Sequence, residues 1–275
     1  MPELAEVEFF RRQWNPGRGQ RVLAVETHPR ARVFRGGHAR AIVAALRGQT
    51  YLDSQTAAKQ MLFRFGGRAW LGLHLGMSGE LGARPPDYRA GKHDHLVLRT
   101  AAAALVFTDP RMFGRVQLHL GDTPPSWWTR IAPPILSPDF TVAAVAAFLR
   151  RRRGAPIKAV LLMQERFPGI GNWMADEILW RAAIHPQQPA GTLGERAVRA
   201  LWRECRRVCR LALATIAGRT EADTPPALNV RIPDAWLFNH RWRAGGRCPR
   251  TGRPLVRAEI GGRTTCWSPA RQKRR

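Results

Sequence analysis

Acids, lysines and cysteines are all scarce in this 275-residue chain, and each shortage narrows what it can be. Asp and Glu number 20 against 45 Lys and Arg, which leaves a net charge of +25 and a pI near 11.7. An imbalance that large points to a polyanionic partner, with nucleic acid first. A GC-rich genome would turn lysine into arginine, but it would not create the excess of bases over acids. Lysine occurs only at Lys59, Lys92, Lys158 and Lys273. A lysine inside a motif is therefore informative, because arginine cannot replace it where a proton must be given up. The four cysteines, Cys205, Cys209, Cys248 and Cys266, form no C-x-x-C pair, and the compartment they suggest is a reducing cytosol or nucleoid. No apolar run is long enough to span a bilayer, and no secretory signal stands at the N-terminus. Internal repeats and long low-complexity segments are also missing. What is present, 44% hydrophobic residues with ten tryptophans, makes a globular chain with room for two substantial cores.

The first eight residues, Met1-Pro2-Glu3-Leu4-Ala5-Glu6-Val7-Glu8, carry the most chemistry. Proline is favoured at the first helical position and acids in the first turn, which predicts a helix beginning at Pro2. Leu4, Val7 and Phe10 would form its buried face. With Met1 removed, Pro2 carries a secondary amine, a nucleophile for carbonyl and acetal carbon. The positive helix end disfavours its ammonium form, and Glu3 and Glu6 crowd it with groups able to move protons.

Residues 15–120 read as a β-rich domain, with strands at Arg21–Thr27, Ala69–Leu75, His95–Arg99, Leu105–Thr108 and Val116–Leu120 and a helix at His38–Leu46. Gly121–Pro138 holds five prolines and marks a boundary. Helices are then expected at Thr141–Arg153, Ile157–Glu165, Trp173–Ala183 and Gly194–Ala217. Phe238–Arg275, with eleven Lys/Arg against the single acid Glu259, reads as a small β-hairpin lobe. The fold class is α+β: an N-terminal β-sandwich with an N-terminal helix over 1–131, a helical domain over 132–237 and a hairpin lobe over 238–275.

Phe167-Pro168-Gly169-Ile170-Gly171-Asn172 turns tightly into a helix, a place where backbone N–H groups and the Asn172 amide can seat a phosphate. Followed by Trp173-Met174-Ala175-Asp176-Glu177, it resembles the helix–two-turn–helix element of the formamidopyrimidine-DNA glycosylase/endonuclease VIII family. The start of the chain is similar to that family's Pro-Glu-Leu-Pro-Glu, with Ala5 in place of the second proline. The likeness runs essentially the whole length. It implies that Pro2 is the nucleophile, Glu3 a proton shuttle, and Glu6 the residue orienting the amine. Lys59 matches a hairpin lysine that donates protons and contacts phosphate. Met77, in His74-Leu75-Gly76-Met77-Ser78-Gly79, matches a wedge into the duplex, and His93, in Lys92-His93-Asp94-His95, a DNA contact. Asp109-Pro110-Arg111-Met112-Phe113-Gly114 is similar to the family's Asp-Pro-Arg-Arg-Phe-Gly. There the arginine reads the base opposite the lesion and the phenylalanine fills the stack. Arg153, Lys158, Asn172 and Arg263 would hold the flanking phosphates, Arg263 also assisting the second elimination.

An enzyme acting on a base inside a duplex must extrude it, and apolar wedges fill the gap it leaves. The Met77-Arg111-Phe113 set resembles the purine-lesion branch. The resemblance thus implies a bifunctional glycosylase and lyase for 8-oxoguanine and formamidopyrimidines in double-stranded DNA, acting as a monomer in the cytoplasm at the nucleoid. An endonuclease VIII-like enzyme for oxidised pyrimidines, a non-catalytic DNA-binding protein of the same fold, and an RNA- or ribosome-associated protein are the rival readings. The last leaves the N-terminus and the wedge set unexplained. The family usually closes its hairpin with four cysteines on zinc. Here only Cys248 stands at one of those places, so no metal or other cofactor is expected. Packing by Trp242, Leu255, Val256 and Trp267 would hold this zincless finger. Thr220–Asp234, where the family covers the extruded base, carries no readable physical signal.

Overall fold

The computed structural model describes residues 1–29, 31–34 and 39–274. They divide into two compact units, Met1–Ile131 and Ala132–Arg275. In the first, helix α1 spans Leu4–Arg12. It begins two residues later than the expected start at Pro2, because Glu3 caps it in extended backbone (φ −104°, ψ −175°) and pairs with Glu6 in a reciprocal capping box. Strand β1 (Ala24–Thr27) is shorter than Arg21–Thr27, since Arg21 makes only an isolated bridge to Thr50. Helix α2 covers Ala39–Leu46; the expected start at His38 lies outside the described residues.

Next come β2 (Tyr51–Ala57), β3 (Gln60–Phe65), β4 (Ala69–His74), β5 (Glu80–Arg84), β6 (Asp94–Arg99), β7 (Ala104–Thr108) and β8 (Arg115–Leu120). They form two antiparallel four-stranded sheets, ordered β1-β6-β7-β5 and β2-β3-β4-β8. The strand spans expected for β4, β6, β7 and β8 agree to within a residue. The strands β2 and β5 carry too much polar sequence to stand out, whereas β3, apolar at Met61, Leu62, Phe63 and Phe65, was not singled out. Trp14 joins the sheets: its indole N–H donates to the Val106 carbonyl of β7 at 3.2 Å, while its ring lies 4.8 Å from Phe63 of β3. Gly72 leaves β4 open where the Trp127 ring rests, so a side chain there would displace it.

Helix α3 (Ser126–Thr129) belongs to the first unit, and the second holds α4 to α7. Helix α4 (Val142–Arg151) is capped by the Thr141 hydroxyl, which accepts from the Ala144 N–H at 3.1 Å. Helix α5 stops at Ile157–Val160, far short of Glu165, as the Gln164 amide turns back to bind the Leu162 and Ile170 carbonyls and the Gly169 N–H. Helices α6 (Asn172–Ala182) and α7 (Glu195–Ala212) follow, α7 ending in a π turn over Leu213–Ala217. Strands β9 (Val256–Ile260) and β10 (Arg263–Trp267) make the hairpin around Gly261-Gly262. Of its expected packing residues, Leu255 and Trp267 are buried, whereas Trp242 and Val256 are exposed. Val256 sits at the strand's outer start, and Trp242 covers Phe238 edge-on (5.1 Å between centroids) without itself being covered.

Candidate active site and nucleic-acid interface

In the first unit Pro2 stands just before the cap of α1, half-buried, with Glu3 and Glu6 buried beside it. The Glu3 N–H donates to Glu6 Oε2 at 2.7 Å. Glu6 therefore grips the peptide that joins Pro2 to Glu3, which fixes the proline ring through the backbone. Lys59 sits in the two-residue turn between β2 and β3, next to Ala58 at φ 55°, a left-handed conformation that alanine adopts at a cost.

Strand register then places His74, a residue the sequence reading did not single out, beside Lys59. It pairs with Gln60 across β3–β4 and with Arg115 across β4–β8. Burial, reinforced by the charges of Arg115 and Lys59, lowers its pKa to about 4. The imidazole is neutral near pH 7, and Nδ1 accepts the Gly76 N–H at 3.0 Å, which puts the proton on Nε2.

Four expected DNA contacts gather around one buried carboxylate, Asp109. Its Oδ1 accepts from the Ser78 hydroxyl (2.7 Å) and the Arg111 N–H (3.3 Å), and its Oδ2 from the Gly114 N–H (2.7 Å). The Asp109 N–H donates to the His93 carbonyl at 2.9 Å, and His95 Nε2–H to the Asp109 carbonyl at 2.8 Å. The Met77 loop also touches the Phe113 loop at Gly76 (φ 63°), where any side chain would collide with the Phe113 and Gly114 backbone. Met77 and Phe113 are 42% and 50% exposed, unusual for large apolar side chains, and the Arg111 guanidinium lies 4.8 Å from the Phe113 ring centre. His93 and Arg111 are exposed as well. Met77, His93, Arg111 and Phe113 thus form one surface cluster with a common anchor. Asp109 was legible only as part of a motif, because its role lies in hydrogen bonds between loops 30 residues apart in sequence.

The second unit brings Asn172 and Arg263 together. At the start of α6, Asn172 Nδ2–H donates to the Thr264 carbonyl at 2.8 Å, one residue from the exposed Arg263. Gly169 (φ 86°) makes the turn that precedes it. Arg153 is exposed beyond the end of α4, its carbonyl accepting from Gly191 N–H at 3.0 Å. Lys158 departs from expectation. Its side chain is 0% exposed, paired with Asp176 at 2.5 Å and donating to the Asn172 carbonyl at 2.6 Å. An ammonium so enclosed is not offered to a phosphate; it fastens the start of α6.

One side of α6 forms a seam with the hairpin lobe at four-residue spacing. Asn172 binds Thr264. Asp176 Oδ2 accepts the Cys266 N–H (2.9 Å) and the Arg241 guanidinium (2.6 and 3.0 Å). Trp180 Nε1–H donates to Cys248 Sγ at 3.3 Å, and Gln272 Nε2–H to the Ile184 carbonyl at 2.9 Å. The donor set does not fit zinc: the hydroxyls of Thr251 and Ser268 and the guanidinium of Arg271 stand where thiolates would be needed. Among the described residues no three His, Cys, Asp or Glu side chains are gathered to hold a metal ion. Burial raises the Cys248 pKa, yet hydrogen bonds led by the Thr251 hydroxyl outweigh it and bring the thiol to about 7. Cys266 is carried the other way, to about 11, by burial and the neighbouring Asp176. All four cysteines are free, and among the described residues no helix is long and apolar enough to cross a membrane.

Residues 1–116 match the family model for the formamidopyrimidine-DNA glycosylase N-terminal domain, and residues 131–223 match that for the formamidopyrimidine-DNA glycosylase H2TH domain. The formamidopyrimidine-DNA glycosylase of Roseiflexus sp. (strain RS-1) is 36% identical over 275 residues, covering 99% of this chain and 100% of that one. Its counterpart in Alkalilimnicola ehrlichii is 35% identical over 286 residues, with the same coverage. Among solved structures, Lactococcus lactis Fpg with abasic-site DNA superposes with a TM-score of 0.85 at 26% identity, covering 99% of this chain and 100% of that one. The same enzyme with N7-benzyl-Fapy-dG DNA gives 0.86 at 28%, and with DNA containing an oxidised pyrimidine 0.85 at 26%, both with the same coverage.

Proposed function

Since the chain belongs to the formamidopyrimidine-DNA glycosylase family and is a DNA glycosylase of base excision repair, we propose how its residues divide the work. Once Met1 is removed, the Pro2 nitrogen attacks C1′ of the damaged nucleotide, and the base leaves with the glycosidic electron pair. The sugar ring then opens, O4′ leaving C1′ with the bonding electron pair and taking a proton, and the iminium so formed acidifies the C2′ proton. β-Elimination then breaks the 3′ phosphate ester and δ-elimination the 5′ ester. Glu3 shuttles the proton at the sugar, and Glu6 orients Pro2 through the shared peptide. Lys59, with neutral His74 beside it, donates protons and binds phosphate. Met77 and Phe113 fill the space of the extruded base, Arg111 reads its former partner, and His93 supports the duplex. In the second unit Asn172, Arg153 and Arg263 bind flanking phosphates, and Lys158 positions Asn172. The substrates are oxidised purines, 8-oxoguanine and formamidopyrimidines, in double-stranded DNA. The enzyme acts as a monomer in the cytoplasm at the nucleoid, and without zinc.

The observation that supports the reading is the Asp109 cluster, which gathers the loops of Met77, Arg111 and Phe113 on one surface. An oxidised-pyrimidine substrate remains the second reading, because a solved relative holds such DNA. Borohydride reduction of the iminium tests both. A covalent link to a duplex with 8-oxoguanine opposite cytosine, lost in Pro2→Gly, is the expected result. A link only with oxidised-pyrimidine or abasic duplexes would keep the mechanism and overturn the substrate. No link with any of them, with Met1 shown to be absent by mass, would overturn the enzyme assignment of Pro2. Exhaustive chelation that lowers activity would overturn the zincless assignment.

A further inference from the structure

Helix α7 has two unlike sides. Val198, Leu201, Cys205, Val208 and Ala212 are buried. On the opposite side Arg196, Arg199, Arg203, Arg207 and Arg210 are all exposed. At 100° per residue they fall within an arc of about 80°, and they run for about 21 Å along the axis. The spacing of three and four residues sets each guanidinium next to another of the same sign, an arrangement that destabilises a helix on its own. The only acids on the helix are Glu195, at its first position, and Glu204, whose buried carboxylate lies 3.5 Å from Arg203. Among the described residues the other four arginines make no ion pair.

The sixth arginine shows what a structural role looks like here. Arg206 donates to the carbonyls of Ile135, Leu136 and Ser137 at 3.0, 3.2 and 2.8 Å and lies 5.5 Å from the Trp202 ring. It ties α7 to the start of the unit, whereas among the described residues four of its five neighbours make no ion pair and the fifth, Arg203, meets only Glu204 of the same helix. By contrast, Arg11 and Arg12 in α1 are matched by Glu8 and Arg181 in α6 by Glu177, and α4 leaves only the adjacent Arg150 and Arg151 without an acidic partner among the described residues.

We propose that the arginine side of α7 is a second DNA-binding surface, which takes the phosphate backbone of an undamaged duplex segment independently of the lesion. A line of guanidinium groups about 5 Å apart meets a strand that carries a phosphate about every 3.4 Å of axis, about two groups for every three phosphates. Guanidinium binds such oxygens in pairs, and no base-reading group interrupts the line. The surface would keep the enzyme on DNA while no damaged base is engaged. This goes beyond the glycosylase reading and does not depend on it.

The test occupies the lesion site first. The full chain is saturated with a short duplex bearing a non-cleavable abasic analogue, then titrated with a labelled undamaged duplex at several salt concentrations. A ternary complex is expected, weakened at least tenfold in R199Q/R203Q/R207Q. Three lost phosphate contacts should make the plot of log K against log salt shallower by about 2.7 for the second duplex. The charge-preserving R199K/R203K/R207K should restore the complex, and an unchanged melting temperature in both variants shows that α7 stays folded. Equal second-duplex binding by the glutamine variant and the native chain would overturn the proposal. So would a parallel loss of single-turnover excision, which would place these arginines at the lesion. A surface that captured single-stranded RNA but no duplex would also overturn it.

Discussion

Asp109 collects hydrogen bonds from Ser78 on one loop and from Arg111 and Gly114 on another, and it is fully buried. Asp109→Ala leaves those donors without an acceptor, a loss on the order of 3 kcal/mol since each buried unsatisfied group costs about 1–3. The expected outcome is a lower melting temperature and a more than tenfold fall in 8-oxoguanine excision. Borohydride trapping on a ready-made abasic site should persist, because Pro2 does not rest on this cluster. Equal loss of both would show that Asp109 supports the whole unit instead. His74 makes a second prediction, in pH. Its folded pKa, about 4, lies below its ordinary 6.5. The neutral form is therefore favoured by folding, and the stability it contributes is complete above 6.5 and lost as pH falls from 6.5 through 4. His74→Gln should flatten denaturant-measured stability over that window; an unchanged slope would assign the acid lability elsewhere. The sequence makes Met77, Arg111 and Phe113 visible because each stands in a run of recognisable neighbours. It hides the role of His74, whose neutrality comes from burial and from charges on two other chain segments.

Among the elements, α6 shows how a lobe can be fixed without a metal. Asp176 is completely buried and accepts Lys158, Arg241 and the Cys266 N–H. Breaking one partner of a buried charge network is costly, about 3–5 kcal/mol, because the charges left behind are uncompensated. Asp176→Asn should therefore loosen β10 before the rest of the second unit, read as faster amide exchange at Thr264–Trp267 than in α7. If Arg263 of this strand assists δ-elimination, as the family resemblance implies, that step should fall further than β-elimination. Uniform exchange across the unit, with both eliminations equally reduced, would mean that Asp176 serves the entire domain. The long periodic helices α4, α6 and α7 were legible to within one or two residues at their starts, since caps and apolar spacing agree there. Helix α5 was overextended because Gln164 takes the backbone's hydrogen bonds, which no periodicity reports. For Lys158 the family resemblance implied a phosphate contact, and its buried partner eighteen residues on is a tertiary pairing that no local pattern reports. The segment 220–234 is organised by a local staple, Asp223 accepting from Arg219 N–H and from Arg231 at 3.0 and 2.7 Å. Its order is held in turns rather than in any repeat of apolar residues.

At the scale of the whole molecule the net charge of +25 far exceeds the one lysine and one arginine, Lys59 and Arg263, that the proposed mechanism draws into its chemistry. In the proposed mechanism Pro2, Glu3 and Glu6 act on carbon and protons, and that chemistry gains nothing from distant positive charge. The arginines act earlier, by drawing the phosphate backbone in and displacing its counterions. Salt should then divide the kinetics. Over a rise from 50 to 200 mM, an enzyme making six or more phosphate contacts should lose about a thousandfold in affinity, and kcat/KM at low substrate should fall with it. The single-turnover rate of a complex already formed at low salt should change by less than about twofold, because contacts within the complex are poorly screened. Stopped-flow excision on a lesion duplex, run both ways, separates the two. A single-turnover rate that fell in step with kcat/KM would mean that the long-range charge also stabilises the transition state. The excess of bases would then belong to catalysis as well as to capture.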